Sequence, residues 1–156
     1  MGLDMYLSRK FYVKNWNHTA DNDKYSITIT KGEKPSLIST DKITSITTEE
    51  MVWRKANAIH NWFVINVQDG NDDCNEYYVD TEKLKILLSI VNKVIKDHSK
   101  APELLPTSEG FFFGDTSYDD NYFSDLEDTQ KVISVLLLSE KNEQNMDGEL
   151  YYQASW

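Results

Sequence analysis

The sequence predicts a single α+β domain over residues 1–156, with an antiparallel or mixed sheet packed against three helices. Three observations predict it. Alternating or aromatic-rich segments near both ends read as strands. A stripe of leucine and valine at helical spacing over 81–97 reads as a core helix. A length of 156 residues with 40% hydrophobic and 12% aromatic content suffices for one core without disulfides or metals. No linker and no internal repeat divides the chain.

Residues 3–14 are rich in strand formers but alternate imperfectly, which predicts a first strand with room for a bulge. Asn15–His18 and Asp21–Asp23 form a polar loop, and Tyr25-Ser26-Ile27-Thr28-Ile29-Thr30 alternates as a half-buried strand does. Lys31–Pro35 is a turn, and short extended pieces at Leu37-Ile38 and 43–46 complete a meander. Thr47-Thr48-Glu49-Glu50 fits a capping box, predicting a first long helix that runs to about Val67. Asp69–Asp73 ends it, and Cys74–Val79 follows as a short strand.

Asp80 suits the amino-terminal cap of the second helix, where Leu84, Leu87, Leu88, Val91, Val94 and Ile95 follow the i, i+3, i+4, i+7 pattern. Pro102 and Pro106 mark a connector. Glu109–Gly114 is too short and too aromatic for a helix, so a buried strand is expected between its two glycines. The acidic loop Asp115–Asp120 leads into a third helix over 121–139, and after a polar loop at 142–148 the chain closes with the strand Leu150–Trp156.

Charge is unevenly placed. Of the net −10, residues 1–102 contribute nothing, with fourteen acidic and fourteen basic side chains; residues 103–156 carry twelve acidic residues against Lys131 and Lys141. The acidic third argues against direct nucleic-acid binding, because phosphate neutralisation needs Lys and Arg. It serves solubility, or a cationic partner. No run approaches a membrane span, and the first residues lack the pattern of a signal peptide. Leu7 stands where a myristoylation signal wants Ser or Thr, and one cysteine, Cys74, fits a reducing compartment. The expectation is a cytoplasmic protein with no membrane partner.

The chemistry concentrates in Trp53-Arg54-Lys55-Ala56-Asn57-Ala58-Ile59-His60-Asn61-Trp62-Phe63-Val64. On a helix of about 3.6 residues per turn, Val52, Ala56, Ile59, Phe63 and Val67 share one face, with Trp53, His60 and Val64 at its edge. Arg54, Asn57 and Asn61 form a second stripe. A guanidinium offers a fork to phosphate or carboxylate and an amide pairs with a base edge, so this stripe beside Trp53 suits a planar polar ligand. The plainer alternative makes Arg54 and Lys55 surface cations. His60 reads as a core histidine. As a general base it needs an orienting carboxylate from Asp72, Asp73, Glu76 or Asp119.

Around Gly110–Gly114 the glycines allow close backbone approach to a neighbouring element or a ligand. Tyr77, Tyr78, Tyr118 and Tyr122 offer faces for stacking, and the tyrosines near Asp119 are the stronger functional candidates. The Asp72-Asp73-Cys74 spacing matches no zinc or calcium pattern, and no Walker-type phosphate loop, Gly-x-Gly-x-x-Gly or Gly-x-Ser-x-Gly occurs. No metal, cofactor or catalytic residue is expected.

The opening Met-Gly-Leu-Asp-Met-Tyr-Leu, the run Trp53–His60 with Trp62-Phe63-Val64, Asp72–Cys74 with Glu76–Val79, Leu105–Thr107 with Glu109–Gly114, and the ending Tyr151–Trp156 together resemble a family of small uncharacterised proteins carried by bacteriophages and prophages. The resemblance spans nearly the whole chain outside about residues 15–46. It implies a phage origin and action in the host cytoplasm; it implies no mechanism. Phage accessory proteins of this size commonly counter host defence.

The leading expectation is therefore a non-enzymatic binder of a small polar ligand, a nucleotide signal for instance. It would be built from Arg54, Asn57 and Asn61 with Trp53, Tyr78 and Tyr118, and with His60 and Asp119 nearby. Two alternatives stand beside it. One is an acidic inhibitor of a basic host protein, and the other is a small enzyme using His60.

Overall fold

Met5, Leu7 and Arg9 are buried along the strand β1 (Asp4–Tyr12), while the residues between them are only partly so. That period of two makes β1 a strand with one core-facing side. In the computed structural model, which describes residues 2–110, 112–141 and 148–156, β1 is a central strand. Among the described residues, the hairpin strands β2 (Thr30–Lys31) and β3 (Lys34–Pro35) form a separate two-stranded sheet. The main sheet adds β4 (Ser45–Arg54), β5 (Tyr77–Tyr78) and β6 (Gly148–Ser155) in the antiparallel order β4-β1-β6-β5.

Helices α1 (Asn57–Asn66), α2 (Thr81–Lys96), the short α3 (Ala101–Leu104) and α4 (Asp120–Lys141) complete the domain. Their apolar residues join Leu3 and the sheet residues Met5, Leu7, Leu150, Tyr152 and Ala154 in one core. The α+β reading holds: an antiparallel sheet and three long helices, with one extra four-residue helix among the described residues. None of the described helices is long and apolar enough to cross a membrane.

Locally strong signals give the elements expected of them. The Asp80 side chain accepts from the Glu82 amide at 2.9 Å and caps α2, whose Leu84, Leu87, Val91 and Val94 are buried. The bulge allowed in the first strand lies between Leu7 and Ser8, where Met51 and Glu49 are their partners and Glu50 is the extra residue.

Three expectations are corrected. The capping-box segment is not helical: Ser45–Arg54 is β4, paired along the whole of β1, and α1 begins only at Asn57. Ile46, Thr47, Thr48 and Val52 are β-branched and suit a pleated surface, and a full ladder of backbone bonds outweighs one reciprocal cap. Thr48 instead donates to Glu50 Oε1 at 2.6 Å within the strand. Secondly, Tyr25–Ile29 is not a strand: Asn15 bonds both backbone groups of Tyr25 at 2.8 and 2.9 Å, and within Tyr25–Thr30 strand begins only at Thr30. Thirdly, Gly110–Gly114 is a turn rather than a strand, with Phe111 outside the described residues and the Phe113 amide donating to the Gly110 carbonyl. A Cβ at Gly110 would lie 2.5 Å from the Phe113 ring, so this turn requires glycine there. The expected loop at 142–148 lies outside the described residues except for Gly148, which begins β6.

Candidate functional site

Between β4 and α1 the chain turns within two residues. Lys55 takes φ 61, an uncommon left-handed conformation for a side-chain-bearing residue. Its amide donates to the Leu3 carbonyl at 2.8 Å, which fixes the turn to the start of β1. The expected Arg54-Asn57-Asn61 stripe therefore does not exist as one helical face. Arg54 ends a strand and Asn57 starts a helix.

The turn nevertheless brings chemistry together. Arg54, Lys55 and the first turn of α1 line a cleft of about 320 Å³, faced by the loop from Thr107 to Asp119 and by α4 as far as Leu126. Four of the residues proposed from sequence, Arg54, Asn57, Asp119 and Tyr122, meet there. Lys55, Ser124 and Asp125 join them.

Asn57 supports the cleft from beneath. It is 4% exposed, its Nδ2 donates to the carbonyls of Phe113 and Asp115 at 3.0 and 2.8 Å, and its Oδ1 accepts from the Ser108 amide at 3.0 Å. Its amide is thus committed to clamping the opposite loop onto α1. Gly114 in that loop (φ +85) lies against the Lys55 stem, and a Cβ there would be 3.1 Å from the Lys55 Cβ.

The two helix ends in the cleft differ. Asp119 caps α4, its Oδ1 accepting from the Tyr122 amide at 3.0 Å and its Oδ2 from Asn121 Nδ2 at 3.2 Å. At α1 the cap position is Ala56, and no side chain caps the first turn. Its partial positive charge opens into the cleft beside Arg54 and Lys55. Arg54 pairs with Asp4 at 3.6 Å, its side chain 73% exposed.

The opposite wall is acidic. Asp115 accepts from the side chain and backbone of Ser117, which hold its carboxyl below the usual range. Asp125 sits half-buried, and burial, together with Asp128 and Asp119, raises its pKa to about 6. The Thr129 hydroxyl, packed under this wall, donates to the Asp125 carbonyl at 2.6 Å and accepts from Trp53 Nε1 at 2.7 Å. Trp53 is therefore a buried strut tying β4 to α4, not a ligand platform.

The remaining candidates lie elsewhere. Tyr78 is exposed on β5 and meets the Tyr151 ring edge-on, 6.0 Å away. Tyr118 stands behind the cleft. Its hydroxyl accepts from the Thr107 amide, and its ring meets Tyr122, which does line the cleft. Asn61 is half-buried and outside the lining.

His60 is 1% exposed, with Nδ1 2.8 Å from the Tyr152 hydroxyl and Nε2 3.2 Å from Asp72. The imidazole thus bridges the Tyr152 hydroxyl through Nδ1 and the Asp72 carboxylate through Nε2. Both nitrogens are used within the core, and Phe113 packs edge-on against the ring at 5.1 Å. Asp72 is the orienting carboxylate that a general base would need, but no open face of the imidazole is left for a substrate.

Sequence reasoning missed Lys55 and Asp125. Asp125 carried a readable signal, since a carboxylate within the stripe Tyr122-Leu126-Thr129 places charge on a buried helix face. No family model, curated protein or solved structure matches this chain.

Proposed function

We propose that the protein binds a small anionic polar ligand of the nucleotide class in this cleft, without catalysis. One observation carries the reading: the uncapped first turn of α1 lies in the same cleft as Arg54 and Lys55, so backbone donors, a fork and a point charge converge. The volume sits at the lower end of the range of about 300–1,000 Å³ typical of ligand pockets, which suits a mononucleotide. With the resemblance to phage proteins, the reading becomes sequestration of a nucleotide signal in the host cytoplasm as a counter to defence. Calorimetric titration with mono- and cyclic nucleotides tests it. Saturable heat that Arg54→Ala/Lys55→Ala abolishes is expected; folded protein giving no heat with any of them contradicts it.

A second reading rests on Asp120, Glu127 and Asp128, which α4 exposes to solvent. Those carboxylates suit a basic host protein, and pull-down from host lysate would then weaken sharply with salt.

A further inference from the structure

Three places invite a ligand: the cleft, the shallow groove between α2 and α4, and the tyrosine-rich outer face of the sheet. The groove has Lys85, Lys93 and Lys96 around Leu88 and Leu137, but nothing indicates its occupant. The outer face is occupied by its own bonds, with Lys10 on Glu76 at 2.7 Å and Tyr151 donating to Glu149 at 2.7 Å.

The cleft's charge is divided. Arg54 and Lys55 are the cations of its lining, while the carboxylates come from Asp115, Asp119 and Asp125. Asp115 and Asp119 are engaged by Ser117 and by the start of α4. Asp125 is the carboxylate that neither of these arrangements uses, and it is half-buried in the wall. Lys55 and Arg54, which also pairs with Asp4, serve one phosphate, and three carboxylates repel further negative charge. An ionised carboxylate accepts hydrogen bonds only, so it selects a base edge that presents N–H donors.

Resting on the ligand-binding reading above, we infer that the cleft takes a nucleoside monophosphate whose base offers adjacent N–H donors, as guanine does. The phosphate lies toward Arg54 and Lys55 and the donor edge toward Asp125. Di- and triphosphates are disfavoured by the acidic wall. The raised pKa of Asp125 adds a condition: discrimination is about half developed at pH 6, grows as pH rises above it and fades below it.

The test is calorimetry at pH 7.5 with GMP, IMP, AMP and GTP, on the wild type and on Asp125→Asn. Removing the charge relieves a half-buried carboxylate, so this variant folds at least as well as the wild type. GMP should bind about tenfold or more tighter than AMP, with IMP between them, and about tenfold or more tighter than GTP. Asp125→Asn should level the three monophosphates. GTP binding as tightly as GMP, or a GMP preference that survives in Asp125→Asn, overturns this inference while leaving the cleft a ligand site. No binding of any nucleotide overturns both.

Discussion

Lys55 and Gly114 meet across the cleft, both at positive φ (61 and 85), with the lysine stem lying on the glycine backbone. The contact packs the lysine stem on the loop before α4 and ties that loop to the strand-to-helix turn. A side chain at Gly114 faces two penalties, a left-handed backbone and a Cβ at 3.1 Å from that of Lys55. Gly114→Ala should cost about 1–3 kcal/mol in urea melts and weaken ligand binding by moving the lysine.

Lys55→Gly should behave oppositely. Glycine adopts φ 61 freely, so stability should hold or rise by up to about 1 kcal/mol while nucleotide affinity falls. A variant that loses stability and affinity together would show the lysine to be a packing residue.

The buried Asn57 side chain holds three hydrogen bonds, two given and one accepted. Asn57→Ala should cost about 3 kcal/mol, because the carbonyls of Phe113 and Asp115 and the Ser108 amide all lose their partner. Asn57→Asp should be at least as harmful, since a carboxylate cannot donate to either carbonyl. Thermal denaturation of the two variants checks both statements.

The His60–Tyr152 bond should behave as structure. Burial keeps the Tyr152 hydroxyl protonated well above its ordinary range, and the ring stacks on Phe63 at 3.9 Å. Tyr152→Phe keeps the stack and strands only the imidazole Nδ1, costing about 1–3 kcal/mol. Ligand affinity should stay within twofold, because His60 lies outside the cleft lining.

Asp125 should make stability depend on pH. Its folded pKa is raised from 3.8 to about 6, so its contribution is fully present below about pH 4 and is lost as pH rises through 6. Asp125→Asn should therefore be more stable than the wild type at pH 7.5. The margin is roughly 1 kcal/mol after allowance for solvent screening of a half-open side chain, and it should vanish near pH 4. Urea melts across pH 4–8 measure it.

Legibility followed the range of the forces. At α2, the Asp80 cap and the leucine stripe are local signals, and they place the helix within a residue or two. At 47–54 the local signal was a capping box, but the deciding partner was β1, distant in sequence and readable only after folding. That one error made a helical stripe of Arg54, Asn57 and Asn61. Residue types survived it better than geometry: Arg54, Asn57 and Asp119 do meet, although by a turn at Lys55 that no periodicity announces. Asn57 proved a clamp and Trp53 a strut, because buried polar atoms seek partners before ligands do.

The most direct measurement is a titration of isotope-labelled protein with GMP, followed by amide NMR. Saturable shifts at Lys55, Ala58, Ile59 and Ser124, around the uncapped turn of α1 and the facing wall of α4, are the expected result. Shifts absent from these amides, or confined to Tyr78 and Tyr151 on the outer sheet face, would contradict the account.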